Sequence, residues 1–227
     1  MTPMKVLCVA DHIDPLVYST QAKSRFRDVQ LVLGAGDLPL EYYSFIVSSL
    51  NVPLLFIFGN HNLSELDTYL GKREPMRPTS LEDTLKDRNA VGATFLEDRH
   101  HRHGKLLIAG LGGSFRYNDG DHQFTEFQMM VRILKMVPRL WWNKLVHGRY
   151  LDILLTHAPP RGIHDREDKP HWGFKAFLTF MKWFSPRYLI HGHIHLYELN
   201  ETRRTTYLKT EVVNCYDHLV LDIENGK

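Results

Sequence analysis

Four short motifs restrict what this chain can fold into: Gly36-Asp37, Gly59-Asn60-His61, Thr156-His157-Ala158-Pro159 and Gly192-His193-Ile194-His195. Each sets a small or turn-forming residue beside an Asp, Asn or His. Each also follows a short apolar run that reads as a strand: Val29–Ala35, Pro53–Phe58, Leu151–Leu155 and Tyr188–Ile190. Lys5–Ala10 is a fifth such run, with Asp11 directly after it. Strands ending this way deliver hard ligands to one edge of a sheet, where α/β folds keep their sites.

The first half alternates these runs with helical patterns. Tyr18–Arg27 suits a surface helix. Leu40, Tyr43, Phe45, Ile46 and Leu50 give an apolar helical face ending near Asn51, and Pro39 suits the helix start. A strand–helix–strand–helix order predicts an α/β layered fold with a partly parallel sheet. Ser64–Leu70 reads as one helical turn followed by a loop over the site, and Lys105–Gly110 as another strand. Leu196–Asn200, Arg203–Tyr207, Thr210–Asn214 and His218–Ile223 alternate in polarity, as in an antiparallel meander. At 227 residues the chain fits one domain, with a helical cap-like insertion at about 120–150.

Charge excludes one class of partner. Lys plus Arg total 28 against 26 Asp plus Glu, a net +2, so phosphate-backbone attraction to nucleic acid is not expected. Cys8 sits inside the first apolar run and Cys215 near the last, and both read as buried thiols. The first apolar run is too short for a signal peptide and none is long enough to span a membrane, so a cytoplasmic location is the expectation.

In order and spacing the four motifs resemble those of the calcineurin-like metallophosphoesterases over nearly the whole chain. The resemblance implies a four-layer α-β-β-α sandwich of two mixed sheets flanked by helices, with metals at one end. It implies two divalent ions, Mn or Fe first and Zn or Mg as alternatives, bridged by Asp37. Asn60, His157 and His193 would complete one ion's ligands; Asp11 and His195 would belong to the other. An extended Gly192–His195 segment would point both imidazoles at the pair. His61 is the expected catalytic residue, and a metal-activated hydroxide the nucleophile in hydrolysis of a phosphate mono- or diester.

The first motif departs from the family pattern. Asp-x-His is usual, whereas this chain has Asp11-His12-Ile13-Asp14, and Ile13 cannot ligate. The expectation is a weakened first site, with Asp14 or His164 as substitutes. Arg116, after the Gly112-Gly113-Ser114 turn, and His164, in the loop after Pro160, are the candidate substrate-binding residues for a small phosphorylated substrate. His191 is expected beside the ligands rather than among them. Arg99–His103 reads as a solvated turn.

Phe124–Trp142 is the least family-like element. Phe127, Met130, Val131, Leu134, Val137 and Trp141 follow helical spacing and read as the face covering a sheet. Arg132, Lys135, Arg139 and Lys144 read as solvent positions, and Pro138 as a kink. The alternative is a basic amphipathic cap making peripheral membrane contact through 124–145. Three other functions remain open: a pyrophosphatase acting on a lipid-linked or nucleotide substrate, a metal-poor binding module on the same fold, and a nuclease, which the charge disfavours.

Overall fold

Alternation along β1 (Met4–Ala10) decides the layering. Met4, Val6, Cys8 and Ala10 enter one apolar cluster, Leu7 and Val9 another on the opposite face. The computed structural model describes residues 3–63, 66–70, 92–198 and 201–224. In it β1 pairs in parallel with β2 (Val29–Gly34), followed by β3 (Leu54–Phe56) and β4 (Thr94–Phe95), also parallel. β13 (Asp217–Ile223) closes the other side of β1, antiparallel, making a five-stranded sheet.

A second sheet has six strands in the order β11 (Arg204–Tyr207), β12 (Thr210–Asn214), β10 (Tyr188–His191), β9 (Ile153–Thr156), β6 (Leu106–Leu111), β5 (His100–His103). Its central four strands are parallel; β11 and β5 are antiparallel to their neighbours. A short parallel pair, β7 (Ser114–Phe115) and β8 (Gln123–Phe124), stands apart from both sheets. The sheets stack through a buried cluster that includes Leu31, Leu33, Leu55, Ile108, Leu155, Ile190 and Val213. α1 (Ala22–Arg25) and α2 (Leu40–Leu50) cover the first sheet, with Tyr42, Tyr43 and Ile46 packed on Val32 and Phe56. α4 (Glu126–His147) and α5 (Lys175–Phe184) cover the second, through Met129, Ile133, Met136, Leu140, Phe177 and Phe180. The expected α-β-β-α order of two mixed sheets is therefore the fold. α3 (Leu66–Leu70) is short, and the loop expected after it lies largely outside the described residues.

Four local readings need correction. Arg99–His103 is not a solvated turn, because His100–His103 pairs with Leu106–Leu111 as an edge strand; Gly104 at φ +58° makes the turn. The tail is not one meander. β12 is buried on both faces, Val212 in one cluster and Val213 in the other, so it takes a parallel partner in β10 while β13 crosses to the first sheet. Residues 196–198 are not strand.

The third correction concerns α4. Its apolar residues occupy more than one side, and the face it buries is Met129, Ile133, Met136 and Leu140 rather than the stripe through Phe127, Leu134 and Trp141. Arg132 falls in the buried phase and is not a solvent position. Pro138 lies inside the helix without ending it. Thr125 and Gln128 form a capping box: Gln128 N donates to Thr125 Oγ1 (3.2 Å) and Thr125 N to Gln128 Oε1 (2.8 Å). Gly148 at φ +74° ends the helix. A fourth correction, to the expected extended shape of Gly192–His195, belongs with the site.

Candidate metal centre

β1, β2 and β3 run parallel in one sheet and β9 and β10 in the other, so their carboxyl ends bring Asp11, Asp37, Asn60, His157 and His193 together. Three of these sit at positive φ: Asp11 at +68°, Asp37 at +58° and His193 at +67°. Non-glycine residues in that region cost roughly 1–3 kcal/mol each and cluster at functional sites. The chain turns sharply after each strand, and the side chains point inward instead of along the strand. This also overturns the extended reading of Gly192–His195. With His193 left-handed, His193 and His195 do not share a face as strand residues would.

Two backbone carbonyls orient the imidazoles. His157 Nδ1 lies 2.8 Å from the carbonyl of Ala35, and His193 Nε2 lies 2.8 Å from that of Pro170. A carbonyl only accepts, so each of those nitrogens carries its proton, leaving His157 Nε2 and His193 Nδ1 to face one another at 3.1 Å. Asp37 Oδ2 lies 3.3 Å and Asn60 Oδ1 3.2 Å from the same His157 Nε2. Ligand atoms of Asp37, His157 and His193 fall within 4.8 Å of one another, all three residues buried. Acceptor atoms converging on one point call for positive charge there, a proton or a metal ion, and carboxylate, imidazole and amide oxygen suit Mn, Fe or Zn. The donor set fits a divalent ion.

The titration of these groups expresses the same demand for positive charge. Burial alone would lower the His157 pKa, but the Asp37 carboxylate raises it to about 9. Burial would raise Asp37, yet His157 and the His61 N–H hold it well below the usual carboxylate range. Asp11 is pushed up to about 7 by burial and, further, by Asp37. His193 is lowered to about 3 by burial and by His157. A proton on His157 occupies the place a metal would take.

The remaining sequence-predicted residues are placed as follows. Asp11 accepts the His193 N–H on both carboxylate oxygens at 2.9 Å, tying the two sheets together at the site. His61 N–H donates to Asp37 Oδ1 at 2.7 Å, while its side chain stands exposed at the rim. His195 is half-buried, stacked on Tyr216 at 4.8 Å and bonded to Tyr197 at 3.1 Å; Asp37 and His157 still influence its titration. Arg116 is exposed, donates to the Gln123 carbonyl (3.3 Å), and lines a cavity of about 590 Å³ with His122, Asp67 and Asp119. His164 bonds His191 at 3.0 Å and Thr205 at 2.8 Å and is not part of the Asp37–His157–His193 group. Asp14 is occupied by the Leu16 N–H (2.7 Å) and by His218. Neither proposed substitute for the missing histidine lies in the ligand group. Ile13 is exposed, and His12 bonds Asp217 at 2.8 Å.

Sequence reasoning missed a buried network behind the Gly59-Asn60-His61 turn. Glu97 Oε1 receives Arg132 at 2.7 Å and faces His122 Nε2 at 2.5 Å; His122 Nδ1 lies 2.5 Å from the Gly59 carbonyl. Arg132 also reaches Gly112 O and Asp98 Oδ1, both at 2.8 Å. Against burial, His122 and Arg132 lower the Glu97 pKa. Tyr117 OH receives Asn60 Nδ2 at 3.4 Å. Glu97 and His122 belong to no motif. Arg132 was read as a solvent position; it lies three residues after Met129 and four before Met136, on the side of α4 that the structure buries.

The sequence model of the calcineurin-like phosphoesterases matches residues 4–197. The chain belongs to that family. Divalent metal ions are implied by the family, and the calcineurin-like fold is shared with two solved structures. One has a TM-score of 0.65 and 16% identity. The other, TT1561 of Thermus thermophilus, has a TM-score of 0.61 and 12% identity. Each alignment covers 97% of this chain and 95% of the other. A curated relative, UPF0046 protein K07C11.7 of Caenorhabditis elegans, is 24% identical over 202 residues, 85% of this chain and 63% of that protein. This calcineurin-like chain thus spans less than two thirds of that relative's length. No helix among the described residues is long and apolar enough to cross a membrane.

Proposed function

We propose that the protein is a hydrolase of phosphate mono- or diesters that works through a dinuclear metal centre, with Mn or Fe as the native ions. The convergence of the His157 and His193 lone pairs on Asp37 and Asn60 carries the reading. Asp37, Asn60, His157 and His193 would hold one ion; Asp11, Asp37 and His195 would hold the other, more weakly because Ile13 offers no imidazole. Bound ions would supply positive charge to the phosphoryl oxygens and acidify a water.

The chain's own groups do the rest. The Ala35 and Pro170 carbonyls fix the histidine tautomers, and the His61 N–H fixes Asp37. The exposed His61 imidazole, beside the proposed ligand Asn60, would give a proton to the departing oxygen. Arg116, which lines a cavity with His122 and Asp119, would meet a phosphate by charge.

The test combines metal analysis with a screen of aryl phosphate mono- and diesters. Asp37→Ala should lose bound metal and hydrolysis together. His61→Ala should keep its metal while turnover falls about 10²–10⁴-fold, the reach of general acid–base help. Near wild-type turnover in Asp37→Ala with metal retained would refute the bridge. Loss of metal in His61→Ala would refute its role.

A further inference from the structure

We propose that the outer face of α4, with the adjoining end of α5, is a docking surface for an anionic phospholipid bilayer. The inner face of α4 already satisfies the core through Met129, Ile133, Met136 and Leu140. The core therefore does not explain the opposite stripe. Phe127, Leu134 and Trp141 recur every seven residues, and Leu145 follows four later, so they share one side of the helix. They are 76%, 50%, 53% and 78% exposed. The stripe runs about 27 Å at ~1.5 Å per residue. Trp142 and Val146 widen its C-terminal end, more than half exposed. Trp183 of α5 continues it through the ring contacts Trp141–Tyr150, Tyr150–Phe184 and Phe184–Trp183. Water-exposed aromatic and aliphatic groups on this scale mark an interaction surface.

Charge selects the occupant. Lys135, Arg139, Lys144 and Lys182 are exposed around the stripe. The only acid within α4 and α5 is Glu126, and its carboxylate is consumed at the start of α5, accepting the N–H groups of Lys175 (3.2 Å) and Ala176. An apolar stripe rich in tryptophan, bordered by cations and empty of free acids, matches the boundary between anionic headgroups and acyl chains. A second copy of this chain would bring cations against cations, with no acid on either face to pair them.

Co-sedimentation of the full chain with phosphatidylcholine vesicles, against vesicles that also contain phosphatidylglycerol, tests the surface. Binding to the anionic vesicles should be at least about tenfold tighter and should weaken as salt rises. Trp141→Glu/Leu145→Glu should reduce it to the neutral-vesicle level. Lys135→Glu/Lys182→Glu, which leaves the apolar stripe intact, should lower it by about tenfold as well. Hydrolysis of soluble aryl phosphates should be unchanged in both variants, which keeps this test separate from the proposed chemistry. Equal binding to both vesicle types, or none, overturns the proposal. So does a concentration-dependent dimer abolished by Trp141→Glu/Leu145→Glu, which would make a second copy the occupant.

Discussion

Gly59→Ala isolates the geometry of the ligand cage with a single methyl group. Gly59 is not among the positive-φ residues, so alanine suits its backbone and the effect is steric. The added Cβ would stand 2.6 Å from Asp37 Cγ and 2.5 Å from His157 Cε1, and closer still to Asp37 Oδ1. Ordinary contact begins at 3.4 Å, so the carboxyl carbon alone must retreat by 3.4 minus 2.6, about 0.8 Å. Metal–ligand distances tolerate about 0.2 Å, a quarter of that movement. Asp37 also accepts the His61 N–H, so the shift breaks the bond that fixes it. Metal affinity should fall at least about 10–100-fold, the cost of disturbing even the supports of a ligand. Stability should drop by only about 1–3 kcal/mol, as for overpacking elsewhere. Gly104→Ala is the control: φ is +58° and nothing lies within 4 Å, so it should cost about 1–2 kcal/mol through backbone strain and leave metal untouched. Isothermal titration with Mn²⁺, with denaturant unfolding alongside, separates the two effects. A Gly59→Ala protein that binds metal as the wild type does would refute the assigned cage.

Arg132→Met should destabilise by about 3–5 kcal/mol in urea unfolding, because it removes the guanidinium that pairs with the buried Glu97 carboxylate. Adding Glu97→Gln should recover part of the loss, and strictly additive costs would refute a shared network. A third expectation concerns pH. Burial holds the His164 pKa at about 4, below its unfolded value near 6.5, so the unfolded chain binds more protons between those limits. Its contribution to stability is complete above pH ~6.5 and lost as pH falls toward 4. After discounting for partial exposure, wild type should lose roughly 1 kcal/mol per pH unit more than His164→Gln over that window, and parallel stability profiles would refute it.

The sequence by itself determined the strands and what they carry. Asp37, Asn60, His157 and His193 each follow an apolar run, and a run ending in glycine or threonine and then a hard ligand is local information. The strand–helix order made an α/β layered fold with a partly parallel sheet legible. The two-sheet sandwich was implied only by the resemblance of the four motifs, and the alternation in β1 shows its physical reason. Val6 and Cys8 alternate with Leu7 and Val9, and strands apolar on both faces must be covered on both. Tertiary structure decided which apolar face of α4 is buried, because the Met129–Ile133–Met136–Leu140 side and the Phe127–Leu134–Trp141 side are both apolar and only contact with the sheet chooses between them. It decided that His193 turns left-handed and parts from His195. The Asp11 carboxylate, 182 residues away, accepts the His193 N–H at that turn. It also assembled Glu97, His122 and Arg132 behind Gly59. A buried ion network depends on who arrives from distant parts of the chain, and no spacing in the sequence records those meetings.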